Sequence, residues 1–283
     1  MDGIILINKP KNYTSRDIVN IVGLSLHTKK VGHTGTLDPL ASGVLVICVN
    51  KGTKLVELLT QDTKEYVAEI TLGIETDTYD LEGKVLKDIE VIKTKEEVET
   101  ALKKLVGTYS QEVPIYSSVK INGKKLYEYA RNNEEVVLPK RDVTITSLEL
   151  LSYKVMSGKT IFEVKCNVSK GTYIRSLVQD IAKELDTVGV MSALLRTREG
   201  IFNLEDCSTI EEFKTGNYKL IKVKDALKNY LTVEASNDLY KSVINGVKIN
   251  YETDEDYILF TKEDNPICLY KKDNDKFRMF KMF

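Results

Sequence analysis

The stretch Gly32-His33-Thr34-Gly35-Thr36-Leu37-Asp38-Pro39-Leu40-Ala41-Ser42-Gly43-Val44-Leu45 sets a single aspartate between glycine-rich turns and the start of an apolar strand. Glycine lets the backbone turn tightly or approach a ligand closely, and Pro39 fixes the backbone just after the carboxylate. The loop therefore reads as a rigid mount for Asp38. Taken alone, Asp-Pro in such a loop is also ordinary turn chemistry, so the surrounding chain has to decide between a turn residue and a functional one.

Working outward, residues 3–8 read as a buried strand ending at Lys9-Pro10, and Thr14-Ser15 offers an N-cap for a helix with Ile18, Ile21, Val22 and Leu26 on one face. A strand at 43–49 and a short helix at 53–60 follow the aspartate loop. Residues 64–73 suit a strand that sends Tyr66, Ala68, Ile70 and Leu72 to one side. Thr94 with Glu97 forms a capping-box pattern for a helix running to about Val106 and closed by Gly107. Residues 142–153 and 160–168 read as paired strands. After the break at Ser169-Lys170-Gly171-Thr172, the spacing of Ile174, Leu177, Val178, Ile181, Ala182 and Leu185 predicts an amphipathic helix with Arg175 at the edge of its apolar stripe.

Strands and helices intermix without a repeating βαβ unit or a dinucleotide fingerprint, which predicts an α+β sheet domain instead of a doubly wound one. A chain of 283 residues exceeds the usual size of one domain. Beyond about residue 231 it turns to short strands and charged turns, with apolar alternation at 257–260 and 267–270. The expected division is 1–231 and 232–283.

Lys plus Arg number 41 against 42 Asp plus Glu, so a nucleic-acid partner does not follow from net charge. The distribution is uneven: Lys9, Lys11, Arg16, Lys29, Lys30, Lys51 and Lys54 crowd the first fifth, and Lys120, Lys124, Lys125, Arg131, Lys140 and Arg141 form a second basic region. Such a surface can bind a phosphate backbone despite a neutral total, although solvated faces give the same counts. Cys48, Cys166, Cys207 and Cys268 lie far apart with no Cys-x-x-Cys pair, which argues against a zinc site or disulfide framework. No signal-type apolar segment opens the chain, and no apolar run approaches the roughly 18 residues of a membrane span, so no membrane association and a cytoplasmic location are expected.

The loop 32–45 resembles the catalytic loop of the TruB family of tRNA pseudouridine synthases. Further blocks resemble that family in the same order: Ile7-Asn8-Lys9-Pro10, Lys64-Glu65-Tyr66, Thr76-Asp77-Thr78-Tyr79-Asp80, Gly123-Lys124-Lys125-Leu126-Tyr127-Glu128-Tyr129-Ala130-Arg131, Gly171-Thr172-Tyr173-Ile174-Arg175-Ser176-Leu177 and Leu195-Arg196. The resemblance implies a pseudouridine-synthase fold with a large mixed, mainly antiparallel sheet flanked by helices. It assigns a catalytic domain to 1–231 and a shortened, β-rich, PUA-like RNA-binding module to 232–283. It further implies isomerisation of uridine 55 in the T loop of tRNA, with no cofactor, no metal and no obligatory protein partner.

By the same resemblance Asp38 is the catalytic carboxylate, acting as a nucleophile or assisting glycosidic cleavage, and Arg175 pairs with it and keeps it ionised. Tyr66 stacks on the extruded uracil and helps remove a proton, and Asp80 supports Arg175. A folded RNA hides its bases, so the target must be flipped out. His33 is expected to help fill the vacated place in the stack, and Tyr173 and Leu195 to line the pocket. Lys9, Lys120, Lys124, Lys125 and Arg131 are expected at phosphates. Two alternatives share these motifs: a tRNA-binding and folding chaperone, and a guide-RNA-dependent synthase. A P-loop-type enzyme is disfavoured, because no Gly-Lys-Ser/Thr follows the glycines.

Overall fold

The structure, a computed structural model, describes residues 1–60 and 63–283. Among the described residues the main sheet has ten strands. Its path runs Leu220–Ile221, Gly3–Lys9, Ala41–Val49, Gly189–Glu199, Lys64–Leu72, Lys159–Val168, Lys140–Met156 and Gly107–Glu112, with Val31–His33 paired to Ala41–Val49 and Phe202–Asn203 to Gly189–Glu199. Within it Ala41–Val49 and Gly189–Glu199 run parallel, while the other ladders are antiparallel. This is an α+β sheet domain, as the mixing of elements predicts, with the mixed, mainly antiparallel sheet that the resemblance implies.

Burial explains why two of these strands are apolar without alternation. Ile4 and Leu6 join Val44, Val46 and Cys48 in a core on one face, whereas Ile5 and Ile7 join Leu45, Ile47 and Val49 under the helices Ser15–Ser25 and Ile210–Lys214 on the other. A sheet covered on both faces selects continuous hydrophobic runs. The strand Lys64–Leu72 instead alternates, with Tyr66, Ala68, Ile70 and Leu72 facing a third core shared with Phe162, Val164 and Cys166. The helices Lys95–Lys104 and Ile174–Glu184 cover that face; the latter buries Ile174, Leu177, Val178, Ile181 and Ala182, the stripe read from the sequence. Thr94 and Glu97 close the reciprocal cap of the former, but Gly107 opens the next strand instead of capping the helix, whose cap residue is Leu105.

From Leu231 onward a second sheet is ordered Leu231–Glu234, Tyr257–Lys262, Asn265–Asp273, Lys276–Met282. Ile258, Phe260, Cys268, Tyr270 and Phe277 pack on one side with Val243, while Leu259 and Leu269 join the core of Ile4, Leu6 and Val44. A helix at Asn237–Ile244, capped by Ser236, was not legible among the charged turns.

One row across the main sheet prepares the site: Gly43 lies opposite Arg196, Arg196 opposite Tyr66, and Tyr66 opposite Cys166. Gly43 has φ +108°, and a Cβ there would sit 2.2 Å from the Arg196 carbonyl oxygen. Neither the torsion nor the space suits an L side chain, so Gly43→Ala is expected to cost on the order of 2–3 kcal/mol, read as a shifted urea midpoint at unchanged slope. A midpoint equal to that of the native chain would refute this account of Gly43.

Candidate active site

The aspartate loop is held from beneath by bonds that do not involve its carboxylate. Ser15 Oγ accepts from Leu37 N at 2.8 Å and donates to Leu37 O at 3.1 Å, Asn12 N donates to Pro39 O at 2.9 Å, and Ala41 N donates to Asp38 O at 3.0 Å. Leu37 is buried in the main core. Asp38 is thereby presented with its side chain 36% exposed at a cleft of about 710 Å3.

Arg175 meets it from the second position of Ile174–Glu184. Its Nε lies 3.0 Å from Asp38 Oδ2 and 3.8 Å from Asp80 Oδ2, while its two terminal nitrogens donate to Thr78 O at 3.1 Å and Tyr116 O at 3.0 Å. With its side chain 7% exposed, this guanidinium is fixed on several sides, as a buried charge must be. Asp80 is held in turn by Thr78 Oγ1 at 2.6 Å and Glu82 N at 3.1 Å. The start of the helix is tied to the strand Gly107–Glu112: Tyr173 N donates to Gln111 Oε1 at 2.9 Å and Ser176 Oγ to Glu112 O at 2.8 Å.

Tyr66 enters the cleft from the sheet and is almost fully buried. Burial pushes its phenol above the ordinary value, and the hydrogen-bonded Arg196 guanidinium beside it opposes that rise. Arg196 has no exposed surface. Its Nε donates to Val44 O at 2.7 Å and one terminal nitrogen to Gly35 O at 3.1 Å, so it joins the two ends of the aspartate loop. The same nitrogen is 3.1 Å from Glu199 Oε2, while Glu199 Oε1 accepts from Thr34 Oγ1 at 2.8 Å and lies 3.6 Å from Lys64 Nζ. Sequence reasoning missed Glu199, Thr34 and Lys64 as site supports, because they come together over long chain separations that no local pattern announces.

Asp38, Tyr66, Tyr173 and Arg175 thus converge on one cleft, with Asp80 behind Arg175. Two expectations are corrected. Lys9 is not at the surface: it is fully buried, with Nζ donating to Pro10 O at 2.9 Å and Tyr13 O at 2.7 Å, and burial pushes it down to about 8. An ammonium enclosed by turn carbonyls cannot serve as an exposed phosphate contact. Leu195 does not line the cleft; its neighbour Leu194 does, since adjacent strand residues point to opposite faces. His33 ends the strand Val31–His33, partly buried, and is pushed below its ordinary value by burial, Arg196 and Arg16. It is not part of the cleft wall.

Lys120 and Arg131 are exposed, and the helix Leu126–Arg131 brings Tyr127 to the cleft wall. There Lys124 sits 4.6 Å from the Tyr129 ring centroid and pairs with Glu134, and Lys125 and Arg131 each lie 5.3 Å from the ring of Tyr127, which lines the cleft. Cations packed on half-buried aromatic rings suit bases and phosphates alike. Among the described residues no His, Cys, Asp or Glu cluster could hold a metal ion, and no helix is long and apolar enough to cross a membrane.

A carboxylate with a fixed cationic partner, a buried phenol and aromatic walls together suit acid–base or nucleophilic work on a planar ring. Comparison with known proteins agrees. The model of the TruB family pseudouridylate synthase N-terminal domain matches residues 24–174. The tRNA pseudouridine synthase B of Alkaliphilus oremlandii is 43% identical over 279 residues, covering 95% of this chain and 90% of its own. That of Geobacillus thermodenitrificans is 43% identical over 289 residues, covering 96% and 95%. Among solved structures, an H/ACA RNP bound to a substrate RNA containing 2'-deoxyuridine superposes with a TM-score of 0.72 at 21% identity, over 99% of this chain and 84% of that one, a likeness of fold.

Proposed function

Because the chain belongs to the TruB family of pseudouridylate synthases, we propose that it isomerises uridine 55 in the T loop of tRNA to pseudouridine, acting on the T stem-loop without a protein partner. The observation that carries this reading is the 3.0 Å contact of Asp38 Oδ2 with Arg175 Nε on a cleft walled by Tyr66 and Tyr173. In the reaction the bond from uracil N1 to ribose C1' breaks, the detached ring turns, and C5 bonds to C1'. The proton leaves C5 and N1 gains one, so the atoms balance without an external reactant. Asp38 acts where the glycosidic bond breaks, and Arg175 holds and aims it. Tyr66 supplies the plane against which the ring lies and a hydroxyl to take part in proton removal.

The pairing of Arg175 with three other acceptors supports a preorganised site: its position does not depend on the substrate. Lys120, Lys124, Lys125 and Arg131 would engage phosphates at the cleft rim, and His33 would take the place of the extruded base in the stack. Residues 1–231 serve as the catalytic domain and 232–283 as a PUA-like RNA-binding module, and the protein works in the cytoplasm.

Incubating the purified chain with an unmodified tRNA transcript, followed by carbodiimide-stopped primer extension, should give one stop, at position 55. No stop with the tRNA still bound would overturn the stand-alone reading in favour of a chaperone or guide-dependent role. A stop elsewhere would overturn the assigned position.

A further inference from the structure

Residues 113–119 cross the mouth of the cleft between the strand Gly107–Glu112 and the hairpin beginning at Lys120. Their backbone is committed: Tyr116 O accepts from Arg175 at 3.0 Å, Ser117 N donates to Ile115 O at 2.9 Å, and Ser117 O accepts from Tyr127 N at 3.2 Å. The Ser117 side chain is not. The residue is 7% exposed and forms part of the cleft wall, yet its Oγ has no hydrogen-bond partner among the described residues. A hydroxyl shielded from water without a partner disfavours the folded chain, and most buried polar groups are satisfied. Packing does not require the oxygen, since alanine fills nearly the same volume. A group kept at a stability cost on the same cleft as Asp38 and Arg175 points to a partner that arrives with the ligand.

We propose that Ser117 is a substrate-contact residue whose hydroxyl donates a hydrogen bond to an oxygen of the extruded nucleotide. Ser117 lines the cleft, and a serine hydroxyl has three staggered χ1 positions through which to meet a ligand bound there. The acceptor is the uracil O4 carbonyl, the ribose 2'-hydroxyl or the phosphate on the 5' side, all oxygens to which a serine hydroxyl can donate. This inference rests on the cleft being the nucleotide site of a pseudouridine synthase. Its strength is a difference in sign: removing an unsatisfied hydroxyl spares or raises the stability of the free protein, while removing a substrate contact weakens the reaction.

The test is Ser117→Ala, with the native protein run in parallel on the same RNA hairpin. The melting temperature should stay level or rise, while kcat/KM falls about tenfold, the size of one hydrogen bond. Substrates carrying 4-thiouridine, 2'-deoxyuridine or a 5' phosphorothioate at the target then identify the acceptor: on one of them the difference between native and variant protein should shrink to within about twofold. An unchanged kcat/KM overturns the proposal, as does a loss that parallels a fall in melting temperature or that none of the three substrates relieves. If the native protein makes no pseudouridine, the functional reading has failed separately, and the dissociation constants of the two proteins for the hairpin still decide: a weaker variant keeps the contact, and equal binding removes it.

Discussion

Asp38→Asn should abolish pseudouridine formation, by at least about a thousandfold in single-turnover rate, while the dissociation constant for tRNA stays within about twofold. The substitution keeps shape and removes charge. The loop should stay in place, because Ser15, Asn12 and Ala41 hold it through backbone atoms of Leu37, Pro39 and Asp38. Arg175 retains Asp80 and two backbone carbonyls, so no buried guanidinium is left unpaired. A melting temperature within a degree or two of the native value should accompany the loss. Residual turnover above a hundredth of the native rate would remove Asp38 from its assigned role. Loss of activity together with a large fall in melting temperature would make the carboxylate a structural partner of Arg175.

The parts of this site that were legible are those fixed by short-range patterns. The alternation of Lys64–Leu72 placed Tyr66 on the core side, and the stripe of Ile174–Glu184 placed Arg175 at its edge. Both follow from the period of one element. Lys9 defeated the same approach, because a lysine before proline looks solvated and only the folded turn brings the Pro10 and Tyr13 carbonyls around it. The displacement from Leu195 to Leu194 has another cause. The resemblance points to Leu195 but fixes no strand face, and adjacent residues of Gly189–Glu199 point to opposite faces, so only the folded strand shows that Leu194 is the one at the cleft. Glu199 and Thr34 stand 165 positions apart and the Ser117 hydroxyl has no partner among the described residues, so neither leaves a sequence pattern to read.

The second large effect is expected at Arg196. The side chains of Arg196 and Glu199 are both almost fully buried, and breaking such a pair by removing one partner costs about 3–5 kcal/mol when nothing else compensates the charge left behind; here Lys64, 3.6 Å from the other oxygen of Glu199, sets the expectation at the low end. Arg196→Met should therefore lower the unfolding free energy measured in urea by about 3 kcal/mol, since Thr34 and Lys64 still hold one oxygen of Glu199 while the other loses its cation. The double variant Arg196→Met, Glu199→Met removes both charges and should recover a substantial part of the loss; two strictly additive losses would show that the pair is not coupled. Stability and turnover are expected to separate in that double variant. Arg196 also donates to Gly35 O and Val44 O and to the Tyr66 phenol, and methionine supplies none of these donors. A recovered midpoint with turnover still reduced at least about tenfold would show that the pair serves the geometry of the aspartate loop and Tyr66 more than the stability of the fold. Full recovery of turnover would place its whole effect in stability.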